Sequence, residues 1–280
     1  MAIQNSEFYK TVNILADFAN WDTTARLNHS LRTWCDYEES NFFQYETLLG
    51  KTMNIMAGVS SSLLYMRISI LQVERENLSE KIEQEGFKEY DLYRYYYIVF
   101  SHSIALLQDL LFKLTSLVFG LKVRQRMIGW DDLDKELKRN NLTTQKTIFE
   151  NFYNKFSSHI DKRNKFSHEG LLTYRTLDSY YMTIIWSQVS NLSTMEDNKY
   201  PQYIIGNEKN TELLQITKEK FLDELNMLAI DAEQFARNLC DSCLDKLLSQ
   251  IDINFLKNHS DQIKPIGCST INDYLVSIGF

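Results

Sequence analysis

The run Arg163-Asn164-Lys165-Phe166-Ser167-His168 brings an always-charged guanidinium and a titratable imidazole into one short stretch. A guanidinium fork grips a phosphate through two parallel hydrogen bonds, and an imidazole moves a proton near neutral pH. Together they suit cleavage of a phosphodiester, with Arg163 on the phosphate oxygens and His168 as base or acid. Asn164 and His168 are four residues apart and share a helix face. Arg163 lies five before His168, roughly 140 degrees round and about 7.5 Å along an ideal helix, a gap that a long arginine spans. Asn164 is placed to orient His168 or to hydrogen-bond a substrate. Lys155, His159 and Lys162 follow at steps of four and three, a basic stripe leading to Arg163 and Lys165. Lys162, Lys165 and His159 are the candidate substrate-binding residues, although basic side chains near a helix C-terminus also simply favour its dipole. Glu169 and Ser167 fit a solvated helix end.

A helix must carry these groups. Phe149, Phe152, Phe156 and Ile160 recur at three and four, the spacing of one buried face. Gly170 supplies a residue able to take the left-handed conformation that ends many helices, so 163–168 fall in the last turns or just beyond.

Arg163, the polar Asn164 immediately after it, and His168 after four intervening residues resemble the signature of the HEPN superfamily. That resemblance implies an all-helical bundle and a metal-independent endoribonuclease. It also implies a homodimer whose two motifs face each other, an RNA substrate, and a defence or toxin-antitoxin setting with a protein antitoxin or regulator. No cofactor or metal is expected. RNA cleavage by the adjacent 2'-hydroxyl leaves a 2',3'-cyclic phosphate and needs one proton taken and another given. One histidine per chain cannot be base and acid at once, which is a physical reason for two chains. The alternative is a non-catalytic bundle of the same shape, a dimerisation or regulatory binding module in which Arg163, Asn164 and His168 form a buried polar cluster.

With 280 residues, 44% of them apolar, the chain can build a sizeable core, and its two prolines and nine glycines favour long helices over turn-rich sheets. A net charge of -7 argues against broad, sequence-independent binding to long nucleic acid. The start MAIQNSEFYK has neither a basic nor an apolar leader region, and the most apolar stretch, 98–121, is interrupted by His102, Gln108, Asp109 and Lys113. The expectation is a cytoplasmic protein without a membrane partner. Four cysteines then read as reduced thiols. Cys240 and Cys243 form a lone CxxC that His259 and Cys268 could complete for zinc, but the pair falls in a helical run and reads better as buried apolar thiols.

The expected fold is all-α: an up-and-down helical bundle over 86–250, an N-terminal helical extension over 1–85, and a loop with a short helix over 251–280. Phe8 and Val12 mark a first short helix; Trp21, Leu27, Leu31 and Trp34 mark a second, with Asp22 as its cap. Residues 41–85 read as one or two helices. Gly50-Lys51-Thr52 is no phosphate loop, because Tyr45 stands where the upstream glycine is required. Residues 87–120 form the clearest helix, with Leu92, Tyr96, Val99, Ser103, Leu106, Leu110, Leu114 and Leu117 as its expected seam. His102 beside that seam reads as a satisfied boundary histidine. Tyr93, Tyr95, Tyr96 and Tyr97 are read as core or as a dimer surface. Asp132-Leu133-Asp134 belongs to a short helix ending at Lys138 or Arg139, and Thr143 or Thr144 caps the motif helix. A short helix from about Asp178 follows. Residues 202–205 and 212–216, flanking Asn207-Glu208-Lys209-Asn210, read as one small β-hairpin insertion. Thr217 is then taken to cap a last helix carrying Phe221, Leu225, Leu228, Ala232, Phe235, Leu239 and Leu247.

Overall fold

The computed structural model describes residues 6–13, 41–74, 89–123, 129–169, 175, 178, 182 and 207–251; of 41–46, 89–90, 165–169, 207–214 and 217 it describes the backbone alone. Among them there is no strand, so the described part of the chain is all-α, as the glycine-poor, proline-poor composition implies. Helix α1 covers 7–13, α2 Asn41–Glu74, α3 Glu89–Phe119, α4 Trp130–Arg139, α5 Thr143–Glu169 and α6 Asn207–Leu248. The described residues fall into two compact units. One lies within Met1–Ser61, Leu107–Asn151 and Gln234–Phe280, the other within Ser62–Leu106 and Phe152–Glu233. Each of α2, α3, α5 and α6 gives one segment to each unit.

In the first unit, Ser6 caps α1 by accepting the Tyr9 N–H at 3.2 Å. Phe112 of α3 meets Phe149 of α5 edge to face at 5.0 Å between centroids and stacks on Trp130 at 6.3 Å. Helix α3 ends where Gly120 turns to φ +62, and Leu121 N–H then reaches back to the Ser116 carbonyl at 2.9 Å. Asn141, at φ 56, ends α4 in the same way, with Leu142 N–H on the Leu137 carbonyl at 2.9 Å. Both are left-handed caps that satisfy carbonyls the helix leaves open. Gln145 donates to the Ser242 carbonyl at 3.0 Å, pinning the start of α5 to α6.

The second unit packs Leu63, Met66, Ile70 and Val73 of α2 with Tyr93, Tyr97, Phe100 and Ile104 of α3, Phe152 and Phe156 of α5, and Phe221, Leu225 and Ala232 of α6. All are buried. The Phe221 ring stands 6.4 Å from Tyr93 and 6.3 Å from Tyr97.

Four sequence expectations change. The buried row of α3 is Tyr93, Tyr97, Phe100, Ile104, Leu107, Leu111, Leu114 and Val118, mostly one step round from the expected seam, of which Ser103 and Leu114 are buried and Leu106 is exposed. This helix is apolar on nearly every face, so period alone does not select the inward side, and the larger aromatic side chains take the core. The tyrosine cluster consequently divides: Tyr93 and Tyr97, four apart, point inward, while Tyr95 is exposed and meets the half-buried Tyr96 edge on at 5.3 Å. The hairpin does not form over its second half, because Asn207 onward is the first turn of α6 and 212–216 are helical. Glu, Lys, Leu and Gln dominate that stretch, and all are strong helix formers. Thr217 thus sits within α6 rather than capping it.

The expected second helix around Trp21, residues 202–205 and the 251–280 tail beyond Ile251 lie outside the described residues. So does most of the helix expected from Asp178, although Arg175, Asp178 and Met182 are helical. Two stretches, Thr47–Glu74 and Asp91–Phe119, are long and apolar enough to cross a membrane by length and composition, and both carry buried faces inside the protein.

Candidate functional site

The motif helix is fixed by what it buries. Phe152 and Phe156 lie in the core of the second unit with ring centroids 4.6 Å apart, and Ile160 is half-buried one turn on. The next anchor is polar. His159 is buried, and its Nδ1 lies 3.0 Å from the hydroxyl of Tyr97, itself fully buried on α3. Burial pushes the His159 imidazole down to about 4, with the positive charge of Lys162 adding to the effect and Glu224 opposing it. Burial likewise raises the Tyr97 phenol well above its usual range, so both groups stay neutral at ordinary pH. A neutral hydrogen bond in the core thus sets the rotation of α5 one turn before Arg163.

This corrects the basic stripe. His159 is an uncharged core residue, and the lysines on either side of it are answered by acids. Lys155 Nζ lies 2.8 Å from Asp231 Oδ2 of α6. Lys162 is half-buried and pulled below the usual lysine range by burial, while the carboxylates of Asp178 and Glu224 act to restore its charge. Lys155 and Lys162 are seven residues apart, as are Glu224 and Asp231, so each pair shares a helix face two turns long. The stripe is the inner half of a charged seam between α5 and α6. Glu224 and Asp231 were legible in the sequence as an acidic row beside the apolar seam of the last helix, and that row was the missed signal.

Arg163 is placed differently. Its Nη1 donates to Asn164 Oδ1 at 2.8 Å, its Nε is buried with no hydrogen-bond partner, and it makes no ion pair with a described residue. Asn164 therefore positions the guanidinium, a role that sequence spacing had assigned toward His168 or the substrate. A buried guanidinium N–H without an acceptor is unusual in a folded protein. Helix α5 runs to Glu169, so the backbone carries His168 on the same last turns as Arg163. The imidazole of His168, the side chain of Lys165 and the expected stop at Gly170 lie outside the described residues.

Other candidates resolve as scaffold. His102 Nδ1 lies 2.9 Å from the Ile98 carbonyl one turn back, a satisfied boundary residue. Lys51 and Thr52 sit inside α2, with the Thr52 hydroxyl on the Leu48 carbonyl at 2.8 Å. Cys240 and Cys243 are buried in the first unit, Cys240 donating to Met56 Sδ at 3.8 Å. Burial raises both thiols, Cys243 to about 12, which keeps them protonated and unreactive. Among the described residues no group of three or more His, Cys, Asp or Glu is placed to hold a metal ion, and His259 and Cys268 lie outside them.

In comparisons with known proteins, no family model, no curated protein and no solved structure matches this chain.

Proposed function

We propose that the chain is a metal-independent endoribonuclease of HEPN type, acting as a homodimer on RNA in a cytoplasmic defence or toxin-antitoxin setting under a protein antitoxin or regulator. One observation supports this above others. The two lysines on the preceding turns of α5 face carboxylates, whereas Arg163 faces none among the described residues and keeps a buried Nε without an acceptor. A guanidinium held by Asn164 and left uncompensated suits a phosphate.

In this reading Arg163 holds the nonbridging oxygens of the scissile phosphate and stabilises the phosphorane. His168 of one chain takes the 2'-hydroxyl proton as the oxygen attacks phosphorus. The 5'-oxygen leaves with a proton from His168 of the second chain, giving a cyclic phosphate and a 5'-hydroxyl. Lys165 supplies positive potential at the rim, whereas the charge of Lys162 is answered by Asp178 and Glu224. His159 is reassigned from substrate binding to holding α5 in place.

A second reading is favoured by a specific observation: the Lys155–Asp231 ion pair, the acids facing Lys162 and the net charge of -7 suit a binding or regulatory module of the same fold. Incubating purified protein with mixed RNA in excess chelator separates the two. Nuclease action yields cyclic-phosphate ends that disappear in both Arg163→Ala and His168→Ala. Intact RNA with the wild type, or equal cutting by all three proteins, rejects it.

A further inference from the structure

Among the described residues every large apolar side chain left exposed belongs to the second unit. The most ordered set is on α2. Leu64, Ile68 and Leu71 recur at four and three, are 40%, 39% and 54% exposed, and have the half-exposed Tyr65 beside them. Earlier on the same helix the outward positions are Lys51, Asn54 and Ala57. The outer face of one continuous helix therefore changes from small or polar side chains to large apolar ones at Leu64. Nothing in helix formation requires this, and water disfavours it.

The geometry points to a second copy of this chain as the occupant, with the two α2 helices crossing antiparallel about a two-fold axis near Ile68. The row is self-complementary in that arrangement. Reversing it about a point between positions 67 and 68 sets Leu64 against the partner's Leu71 and leaves the two Ile68 side chains near the centre, offset by about 1.5 Å along the helices. The charge nearest the axis is already matched within each chain, because Arg67 lies 3.5 Å from Glu233 of α6. Two such rows meet without like-charge repulsion. The same ion pair places α6 beside the row, and Met227 and Ile230, six and three residues before Glu233, are 62% and 56% exposed. They widen the patch toward the roughly 800 Å² that each partner of a stable dimer buries.

Other occupants fit less well. Leu64 to Leu71 spans about 10 Å, a third of a bilayer's hydrocarbon thickness. Helices that lie on lipid flank their apolar row with free lysines and arginines, whereas the arginine here is ion-paired and the exposed residue ending α2 is Glu74. The inference goes beyond the nuclease reading and stands whether or not the protein cuts RNA.

The test is sedimentation equilibrium of the full chain, wild type against Ile68→Lys and Leu71→Glu, with circular dichroism to establish that each variant keeps its helix content. The wild type is expected to dimerise and each variant to weaken association by about tenfold or more. As a geometric check, Leu64→Cys mixed with Leu71→Cys forms an oxidative cross-link between the two chains that neither variant forms alone. A wild type that stays monomeric across the concentration range overturns the inference, because the face is then covered by the chain itself or by another protein. Undiminished dimerisation of both folded variants overturns it too. So does binding of the monomer to phosphatidylcholine vesicles that Ile68→Lys abolishes. RNA cleavage retained by a monomeric Ile68→Lys would refute the two-chain cleavage mechanism while leaving this interface standing.

Discussion

Moving from pH 7 to pH 5 should destabilise this protein through His159, by an amount the site itself supplies. The imidazole is buried and pushed down to about 4, with Lys162 adding positive charge beside it and Glu224 partly compensating. An unfolded histidine titrates near 6.5. Because the folded value is the lower one, the unfolded chain binds more protons, and stability falls as pH falls through the window from about 6.5 to about 4. At pH 5 nearly all unfolded histidines carry the proton and about a tenth of folded ones do, which corresponds to about 2 kcal/mol lost relative to pH 7. Carboxylates titrate too, so the comparison must remove only the imidazole. Urea denaturation of wild type and His159→Gln at both pH values does so, since glutamine keeps a hydrogen-bonding group for Tyr97 and cannot titrate. The wild type should lose about 2 kcal/mol more than the variant over that interval. Equal losses in the two proteins would refute a buried neutral His159 and the anchoring of α5 derived from it.

Four further outcomes follow from the packing and the ion pairs. Phe156→Ala removes a fully buried ring beside Phe152 and should cost about 3–5 kcal/mol in denaturant unfolding, the range for emptying an aromatic core site. Lys155 and Asp231 are both partly exposed, so a double-mutant cycle to alanine should return a coupling of about 0.2–1 kcal/mol; a larger coupling would mean the pair is screened from solvent more than its geometry indicates. Cys240 and Cys243 should resist iodoacetamide in the native protein and react once urea is added, as mapped by mass spectrometry. Asn164→Ala frees Arg163 Nη1 and should raise KM for RNA more than it lowers kcat, since Asn164 acts through the guanidinium.

Much of the scaffold could be read from periodicity. Phe149, Phe152 and Phe156 of α5 and the row from Phe221 to Leu247 on α6 are buried almost as their spacing requires, with only Phe235 half-buried on that row. These helices carry charge on one side, so the pattern has only one solution. Helix α3 has no such contrast, so its period points to a face that is buried only at Ser103 and Leu114, with most of the core row one position away. The hairpin expected around Asn207 arose from local turn-forming residues, which a 42-residue helix with a continuous apolar seam overrides. At the candidate site, the spacing of Arg163 and Asn164 on a helix end was legible, as was the aromatic anchor before them. The Tyr97–His159 contact was not, because its partners are 62 residues apart in the chain. The neutralisation of Lys155 was likewise hidden, since charge read along one helix does not reveal the acids that a second helix presents to it.

The central claim is that Arg163 and His168 act on one phosphate as a unit, and a double-mutant cycle on RNA cleavage tests it most directly. Rates are measured in chelator for the wild type, Arg163→Ala, His168→Ala and the double variant. The account predicts that each single change removes nearly all cleavage and that the double variant is no slower than the slower single, because a group that works only with its partner cannot be lost twice. Losses that multiply, or an Arg163→Ala protein that cleaves at the wild-type rate, would contradict it.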